Sequence, residues 1–444
     1  MTVGTTPRVA VIGFGYIGSV IGATLASRGC SVVGIERNPE IVETVTAGRS
    51  PFAEEGLQQR IAQGITTGTL TATTDVSEIA GCDVYIITVG TPLSETFEAD
   101  VSHLREACRA IGPYVADGAL VIVKSTVPPH VTRDIVGAAF ADKDVDVAFC
   151  PERLAEGRAI AEFESIPIIV GGLTERSGRV AKEFWESVLD VEVICVSDSL
   201  VAEMVKLADN LWIDLNIALA GELAKLCDAL GIDVLEVTGA ANTLPKGSHH
   251  VNILAPSVGV GGYCLTKDPW FVHHLGEVHG IELRTPMVSR EVNDSMPLYS
   301  ADMVDTLLTE AHPGIERAEL KVAVLGVAFK NDTGDCRFTP TAAFIDRFVE
   351  RGYCVEVCDP LVSDADAMTW FGLRLNPSIQ DTMRDAHCIA ILAGHSIFTE
   401  LTAHEIAACA SGGALVFDGR RFYTRAQIDE LRSAGLEYKG VGRI

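Results

Sequence analysis

The sequence predicts an α/β protein: two doubly wound domains joined by a long central helix and a helical middle domain. Three observations predict it. Short β-branched runs alternate with amphipathic stretches up to about Ser199, the alternation then gives way to a long helical period, and it returns from Lys321. Strands that alternate with helices imply βαβ units and parallel sheets, so the outer segments read as two such sheets.

The elements follow in order. "RVAVIGFG", "SVVGIE", "DVYIITVG", "ALVIVKST" and "DVAFCPE" are buried parallel strands, each followed by an amphipathic segment. "SLVAEMVKLADNLWIDLNIALAGELAKLCDALG" holds one helical period and stops at Gly231. A helix that long, apolar on more than one side, joins domains or packs against a partner chain. "KVAVLGVAF", "CVEVCDP", "CIAILAG" and "ALVFDGR" then supply the strands of the last segment. Cys354 and Cys358 fall on one side of their strand, which predicts two thiols packed on one face.

Composition narrows the class. A chain of 444 residues, 48% apolar and 21% charged, is globular and long enough for two or three cores. A net charge of −25 excludes a basic nucleic-acid footprint, so phosphate groups must be met locally. No apolar run reaches the length of about 18 residues that a membrane span needs. The first residues, "MTVGTTPRVAVIGFG", enter a strand without the three regions of a signal peptide. The 12 cysteines show neither a CxxC pair nor metal-ligand spacing, so reduced thiols, a cytoplasmic location and no metal are expected.

The first strand ends in "GFGYIG". Gly13, Gly15 and Gly18 carry GxGxxG spacing between a strand and a helix, the setting in which that spacing marks a Rossmann-type dinucleotide site. Gly13 permits the turn, Gly15 lets backbone amides approach a pyrophosphate, and Gly18 allows close packing of helix on strand. Glu36 ends the second strand, about twenty residues further on, where a carboxylate accepts the ribose 2′-hydroxyl and repels a 2′-phosphate. NAD is therefore the expected cofactor, with Arg37 beside the ribose position.

A second glycine-rich stretch, "GVGGYCLTKD", places Cys264 shortly before "DPWFVHHLGEV". Asp268 reads as an N-cap and Pro269 as the first helical residue. A cysteine near a helix start is favoured as thiolate, and the glycines would let backbone amides crowd its sulfur. Lys206 and Asn210 stand one turn apart on the long helix. Glu152 and Glu156 in "CPERLAEG", and Thr126 in "VKSTVPPH", follow strands at the end where α/β sheets bind ligands.

These stretches, together with "VGTP", "KLADN", "FKNDTGDCR" and "FDGRR", run in order from Gly13 to Arg421. The chain resembles the UDP-glucose/GDP-mannose dehydrogenases, NAD-dependent nucleotide-sugar 6-dehydrogenases. The resemblance implies a four-electron oxidation of the sugar C6 alcohol to a carboxylate. Cys264 then attacks the C6 aldehyde, and a thiohemiacetal becomes a thioester that water hydrolyses. Lys206 and Asn210 match residues that hold the C6 oxyanion, and Asp268 the carboxylate that positions water. Glu152 matches the base of hydrolysis, and Thr126 a residue contacting that water. Tyr16, Ile17, Thr91, Pro92 and Arg337 match cofactor-side positions. Gly261, Glu156, Lys267, Lys330 and Arg420 match substrate-side ones, and Arg420 suits a bidentate grip on phosphate.

The domains implied are an NAD-binding Rossmann domain at 1–199, a central helical domain with the Cys264 loop at 200–315, and a Rossmann-like nucleotide-sugar domain at 316–444. A homodimer through the central helix is also implied. "VNILAPSVGVGGYC" and "DPWF" resemble enzymes of UDP-N-acetylhexosamines, whereas Lys267 before Asp268 resembles glucose enzymes. The substrate order is therefore UDP-N-acetylhexosamine, UDP-glucose, then GDP-mannose. Two rivals stand beside this: a β-hydroxyacid-type dehydrogenase, which shares a helical lysine–asparagine site, and a non-catalytic nucleotide-sugar-binding regulator.

Overall fold

The computed structural model describes residues 7–94 and 98–444. The chain forms two compact units, Met1–Asp209 and Asn210–Ile444.

In the first unit, β1 (Arg8–Ile12) leads through α1 (Tyr16–Ser27) to β2 (Ser31–Ile35). Helices α2 (Pro39–Thr46) and α3 (Leu57–Thr67), then β3 (Leu70–Thr73), complete that half of the sheet. The other half comprises β4 (Val84–Ile87), α4 (Ser102–Ile111), β5 (Leu120–Val123), β6 (Asp146–Phe149), α5 (Ala159–Phe163), β7 (Ile168–Gly172), α6 (Glu175–Val188) and β8 (Val193–Cys195). Among the described residues these make an 8-stranded sheet of order β3-β2-β1-β4-β5-β6-β7-β8. All pairings are parallel except β6 with β7. The order reverses between β1 and β4, the switch point at which doubly wound sheets bind nucleotides.

Alternation along each strand fills a core on both faces, which explains the near-continuous apolar runs. Val9 and Val11 enter one core with Ile86, Ile122 and Trp185, and Ala10 and Ile12 enter the other with Ile87 and Val123. The predicted strands are present. The sequence reading did not mark β3, β7 or β8, and β8 is only 3 residues long.

Helix α7 (Ser199–Leu230) is the long helix, and Gly231 stops it at φ +68°, as its position suggested. It presents Trp212, Leu215, Leu219, Leu226 and Leu230 to the outside, along one helical stripe.

In the second unit α8 (Val234–Ala241) and the short hairpin of β9 (Pro245–Lys246) with β10 (His249–His250) precede α9 (Asp268–Val278) and α10 (Arg284–Ala311). Then come β11 (Lys321–Leu325), α11 (Thr341–Glu350), β12 (Cys354–Cys358), β13 (Cys388–Ile391), β14 (Leu415–Asp418) and β15 (Glu437–Gly440). The last five strands pair in parallel in the order β12-β11-β13-β14-β15, a second doubly wound sheet. Val322 and Val324 face one core, Ala323 and Leu325 the other. One expectation is corrected here. Cys358 is buried but Cys354 is exposed, because Cys354 begins an edge strand before the sheet is covered. No helix among the described residues is long and apolar enough to cross a membrane.

Candidate active site

The first glycine turn is built for close approach. Gly13 lies at φ +89°, in the region that favours glycine, and the Thr88 hydroxyl donates to its carbonyl at 2.6 Å. A Cβ on Gly18 would stand 2.1 Å from the Gly13 carbonyl oxygen, so only glycine lets α1 sit this near β1. A Cβ on Gly15, by contrast, would meet nothing within 4 Å. No side chain caps α1 and its first turn holds no acid, so its first amides and dipole face that open side. A pyrophosphate fits this cradle, and the residues present fit NAD. Tyr16 and Ile17, in the first turn of α1, are partly buried against the core beside it. Glu36 directly follows β2 and accepts the Asn38 amide at 3.0 Å. Arg37 pairs with Glu106 at 3.2 Å, both well exposed.

Behind this turn the ends of β4 and β5 carry further positions. The buried Thr91 donates its hydroxyl to the Thr126 carbonyl at 2.5 Å, which ties the "GTP" and "STVPP" loops together. The Pro92 carbonyl accepts the Asp100 amide at 2.8 Å. After β6, Glu152 is buried and accepts the Leu154 amide, while its other oxygen lies 3.5 Å from the Lys206 ammonium. Two residues far apart in sequence thus share one buried ion pair.

Several neighbours were not legible in the sequence. Lys124 is buried, with its ammonium 5.1 Å from the Trp185 ring centroid and 5.7 Å from that of Phe163. Burial, with the nearby Lys206, pushes its amine below the usual lysine range, although Cys150 and Glu152 pull the other way. Glu203, fully buried on α7, accepts the amides of His130 and Thr132 at 2.8 Å each, which pins the loop after Thr126. Glu54 accepts the Tyr16 hydroxyl and the Gly157 amide, the latter at 2.8 Å, and so joins the cofactor turn to the loop that carries Glu156. Burial, followed by the hydrogen bond to Glu54, drives the Tyr16 phenol upward.

In the second unit the Cys264 segment is a tight turn into α9. The Cys264 carbonyl accepts the amides of Lys267 at 3.1 Å and Asp268 at 2.9 Å, and the Thr266 hydroxyl donates to the Gly262 carbonyl at 2.7 Å. Cys264 itself is exposed. Asp268 is not the N-cap the sequence suggested: α9 starts at Asp268, with Lys267 in the cap position. Its carboxylate, 0% exposed, turns inward to side chains instead of backbone amides. Lys267 donates to one oxygen at 2.5 Å and Asn210 to the other at 2.5 Å. The Lys267 ammonium also lies 4.4 Å from the Phe271 ring centroid and 5.6 Å from that of Tyr263.

The glycines here allow close packing. A Cβ on Gly261 would lie 2.6 Å from Phe329 Cβ and 2.7 Å from the Phe338 carbonyl oxygen. The Gly262 amide donates to the Arg337 carbonyl at 3.3 Å. They let the Cys264 turn press against the 329–340 segment. Within that segment the Lys330 carbonyl accepts the Thr333 hydroxyl at 3.2 Å. Arg337 grips Asp335, with its guanidinium 5.9 Å from the Tyr263 ring centroid. Arg420, after β14, donates Nε to the Leu392 carbonyl at 2.7 Å, while Nη2 is buried without a hydrogen-bond partner among the described residues. Burial, with Arg421 beside it, pushes the guanidinium down to about 10, and an anionic ligand would satisfy both the charge and the orphan donor.

Comparisons with known proteins show the family. The UDP-glucose/GDP-mannose dehydrogenase family's NAD binding domain matches residues 7–189, its central domain 200–295 and its UDP binding domain 323–425. A UDP-N-acetyl-D-mannosamine dehydrogenase of Methanococcus maripaludis is 33% identical over 90% of this chain and 88% of its own. The solved structure of a UDP-D-ManNAc dehydrogenase from Pyrococcus horikoshii superposes with TM-score 0.87 at 30% identity, covering 98% of this chain and 99% of its own. That of a UDP-glucose dehydrogenase from Pyrobaculum islandicum does so with TM-score 0.87 at 29% identity, covering 100% and 99%. With its cofactor cradle in place and all three domains of the family matched along its length, the chain belongs to the UDP-glucose/GDP-mannose dehydrogenase family.

Proposed function

We propose that this NAD-dependent enzyme oxidises the C6 alcohol of a UDP-N-acetylhexosamine to the carboxylate, through a covalent adduct on Cys264. The observation that carries the reading is the pairing, in one short turn, of an exposed thiol with a fully buried carboxylate held by Asn210 and Lys267. The Gly13–Gly18 turn, Glu36 and the Thr91–Pro92 loop would hold NAD, which would supply the hydride acceptor for each of the two oxidations.

The chain's own residues do the remainder. As the alcohol passes its proton to a water held by Asp268 and gives up its hydride, Lys206 and Asn210, one turn apart on α7, steady the oxygen. The Cys264 thiolate adds to the resulting aldehyde carbon, and the tetrahedral adduct loses the second hydride to become a thioester. Water, oriented by Asp268 and Thr126 and deprotonated by Glu152, cleaves the C–S bond, returning the thiol and releasing the acid. Glu152 lies 3.5 Å from Lys206, beside the group that steadies the oxygen, which supports Glu152 as base. Arg420, Lys330, Lys267, Glu156 and the Gly261 backbone hold the UDP-sugar. Arg37 and Arg337 attend the cofactor.

The division at 1–199, 200–315 and 316–444 belongs to the same proposal, as does a homodimer formed through the exposed stripe on α7. A sedimentation run that finds only monomer at micromolar concentration contradicts the dimer. UDP-N-acetyl-D-mannosamine is the first substrate to test, because the relatives cited from Methanococcus and Pyrococcus are named for it. UDP-glucose is the second reading, favoured by Lys267 and by the Pyrobaculum structure. Rates on UDP-N-acetylmannosamine, UDP-N-acetylglucosamine, UDP-glucose and GDP-mannose decide the sugar. Two NADH per sugar are expected on the true substrate, and one NADH contradicts the four-electron reaction.

A further inference from the structure

The least expected cluster in the second unit lies one turn beyond Asn210. Asp214 on α7 is fully buried and both its oxygens are engaged. One accepts Arg290 Nη1 at 2.6 Å and Asn293 Nδ2 at 2.8 Å, and the other accepts the Ser289 hydroxyl at 2.7 Å. Arg290, on α10, is 1% exposed. Its Nη1 also donates to the carbonyl of Leu265 at 3.3 Å, and Nη2 pairs with Asp294. Leu265 is the residue after Cys264.

We infer that Arg290 is a positioning residue for Cys264, acting through the Leu265 carbonyl and Asp214. The turn that carries the thiol is thereby fixed to α7 twice. Asp268 is held by Asn210, and Leu265 is held, by way of Arg290, to Asp214 one turn further along the same helix. Neither link replaces the other: the first fixes the carboxylate end of the turn, the second the end next to sulfur.

Stability alone is a poor account of this cluster. A buried ion pair contributes little compared with apolar side chains of the same volume, and Arg290 Nε is buried without a hydrogen-bond partner among the described residues. Geometry is a better one. Thiolate addition to an aldehyde requires sulfur at a defined distance from carbon, and a misplacement of about 1 Å can slow a reaction by about a hundredfold. Lysine in place of Arg290 keeps a charge for Asp214, but its shorter, non-planar head cannot keep one nitrogen on Asp214 and Leu265 while a second holds Asp294.

The inference rests on the covalent reading above, so the test separates the two. Wild type, Arg290→Lys, Ser289→Ala and Cys264→Ala are compared by single-turnover NADH formation and by iodoacetamide labelling of the cofactor-free enzyme. Peptide mass spectrometry reads the labelling, with the exposed Cys195 and Cys354 as internal references. Arg290→Lys is expected to form one NADH per site rapidly and the second about 10- to 100-fold more slowly, with KM for the UDP-sugar within about threefold. Its Cys264 labelling slows about fivefold relative to Cys195 and Cys354, because the turn drifts from the α9 N-terminus that favours thiolate. Ser289→Ala, a lesion in the same cluster that spares the Leu265 link, leaves both readouts as in wild type. Two rapid NADH with unchanged Cys264 labelling in Arg290→Lys overturns the inference, and so does an equal effect of Ser289→Ala. Should Arg290→Lys fail to fold, the neutral pair D214N/R290Q takes its place under the same criteria. Acid formation by Cys264→Ala would instead overturn the covalent reading, whatever Arg290 does.

Discussion

The two sheets of this protein begin alike and then treat the same turn in opposite ways. Each opens with a buried parallel strand that ends in a glycine of positive φ, Gly13 at +89° and Gly326 at +83°. After Gly13 the chain enters α1 almost at once, and the uncapped amides of that helix face open space beside Gly15. After Gly326 the helix is delayed until Thr341. The first amides of the second turn, Val327 and Ala328, donate to the Asp359 carboxylate at 2.7 Å and 3.2 Å. Asp359 follows the second strand of its sheet just as Glu36 does. Among the described residues Glu36 accepts a local amide from Asn38, whereas Asp359 is buried and also accepts from Leu361 and from His395 Nε2 at 3.0 Å. His395 Nδ1 accepts the Asp332 amide at 2.8 Å, which leaves Nε2 as the donor to Asp359.

The lesson is that topology alone does not make a dinucleotide site. The first turn leaves its amides for a ligand, and the second fills the equivalent nest with a carboxylate of its own. The second sheet thereby gives up that anion site and gains a fixed base for the 329–340 segment, against which the Cys264 turn rests.

Substitutions can break this contrast. The largest effect is expected at Gly18, where Gly18→Ala drives a methyl group into the Gly13 carbonyl. NAD affinity should fall by about a hundredfold or more, roughly 2.7 kcal/mol, measured by calorimetric titration. In Gly326→Ala the methyl meets Ala393 instead, and NAD affinity should stay within about threefold while thermal stability falls. Equal losses of NAD affinity in the two variants would erase the distinction.

Asp359→Asn comes next, with a cost of about 2 kcal/mol, because one of the buried oxygens that accept several donors is replaced. Burial acts to raise this carboxyl, but the His395 hydrogen bond and the amides outweigh it and hold it below the usual carboxylate range. A depressed folded pKa means stability that is present above about pH 4 and is lost as the pH falls below that value. Unfolding followed from pH 7 to pH 3 should therefore show a steeper acid loss in wild type than in Asp359→Asn. Parallel curves would remove Asp359 from the account.

Glu36→Ser should raise the use of NADP relative to NAD by about tenfold or more, since a repelling carboxylate is withdrawn from the ribose. The smallest change is Arg37→Ala. Its pair with Glu106 is exposed on both sides, so unfolding should shift by no more than about 0.5 kcal/mol.

What could be read in advance follows physical range. Gly13, Gly15, Gly18, Glu36 and the Cys264 segment announce themselves through local spacing, because turn geometry and helix starts are short-range matters. The apolar strands were legible for the same reason, although β7 and β8 lacked a clear period. Asp268 misled because an Asp before Pro looks like a cap, and only the fold brings Asn210 to its carboxylate. Glu54, Glu203, Asp214 and Arg290 were silent. Each makes a decisive contact with a residue tens of positions away, and nothing in "PFAEEG" or "SREVND" marks a buried role.

The central claim is that sulfur of Cys264 bonds to the sugar carbon before the second hydride departs. It is tested most directly in Glu152→Gln, quenched in acid during turnover of the UDP-sugar with NAD and analysed by intact and peptide mass spectrometry. The account predicts a sugar acyl adduct on the peptide that contains Cys264, absent in Cys264→Ala. Continued turnover with no adduct, or an adduct on another cysteine, would contradict it.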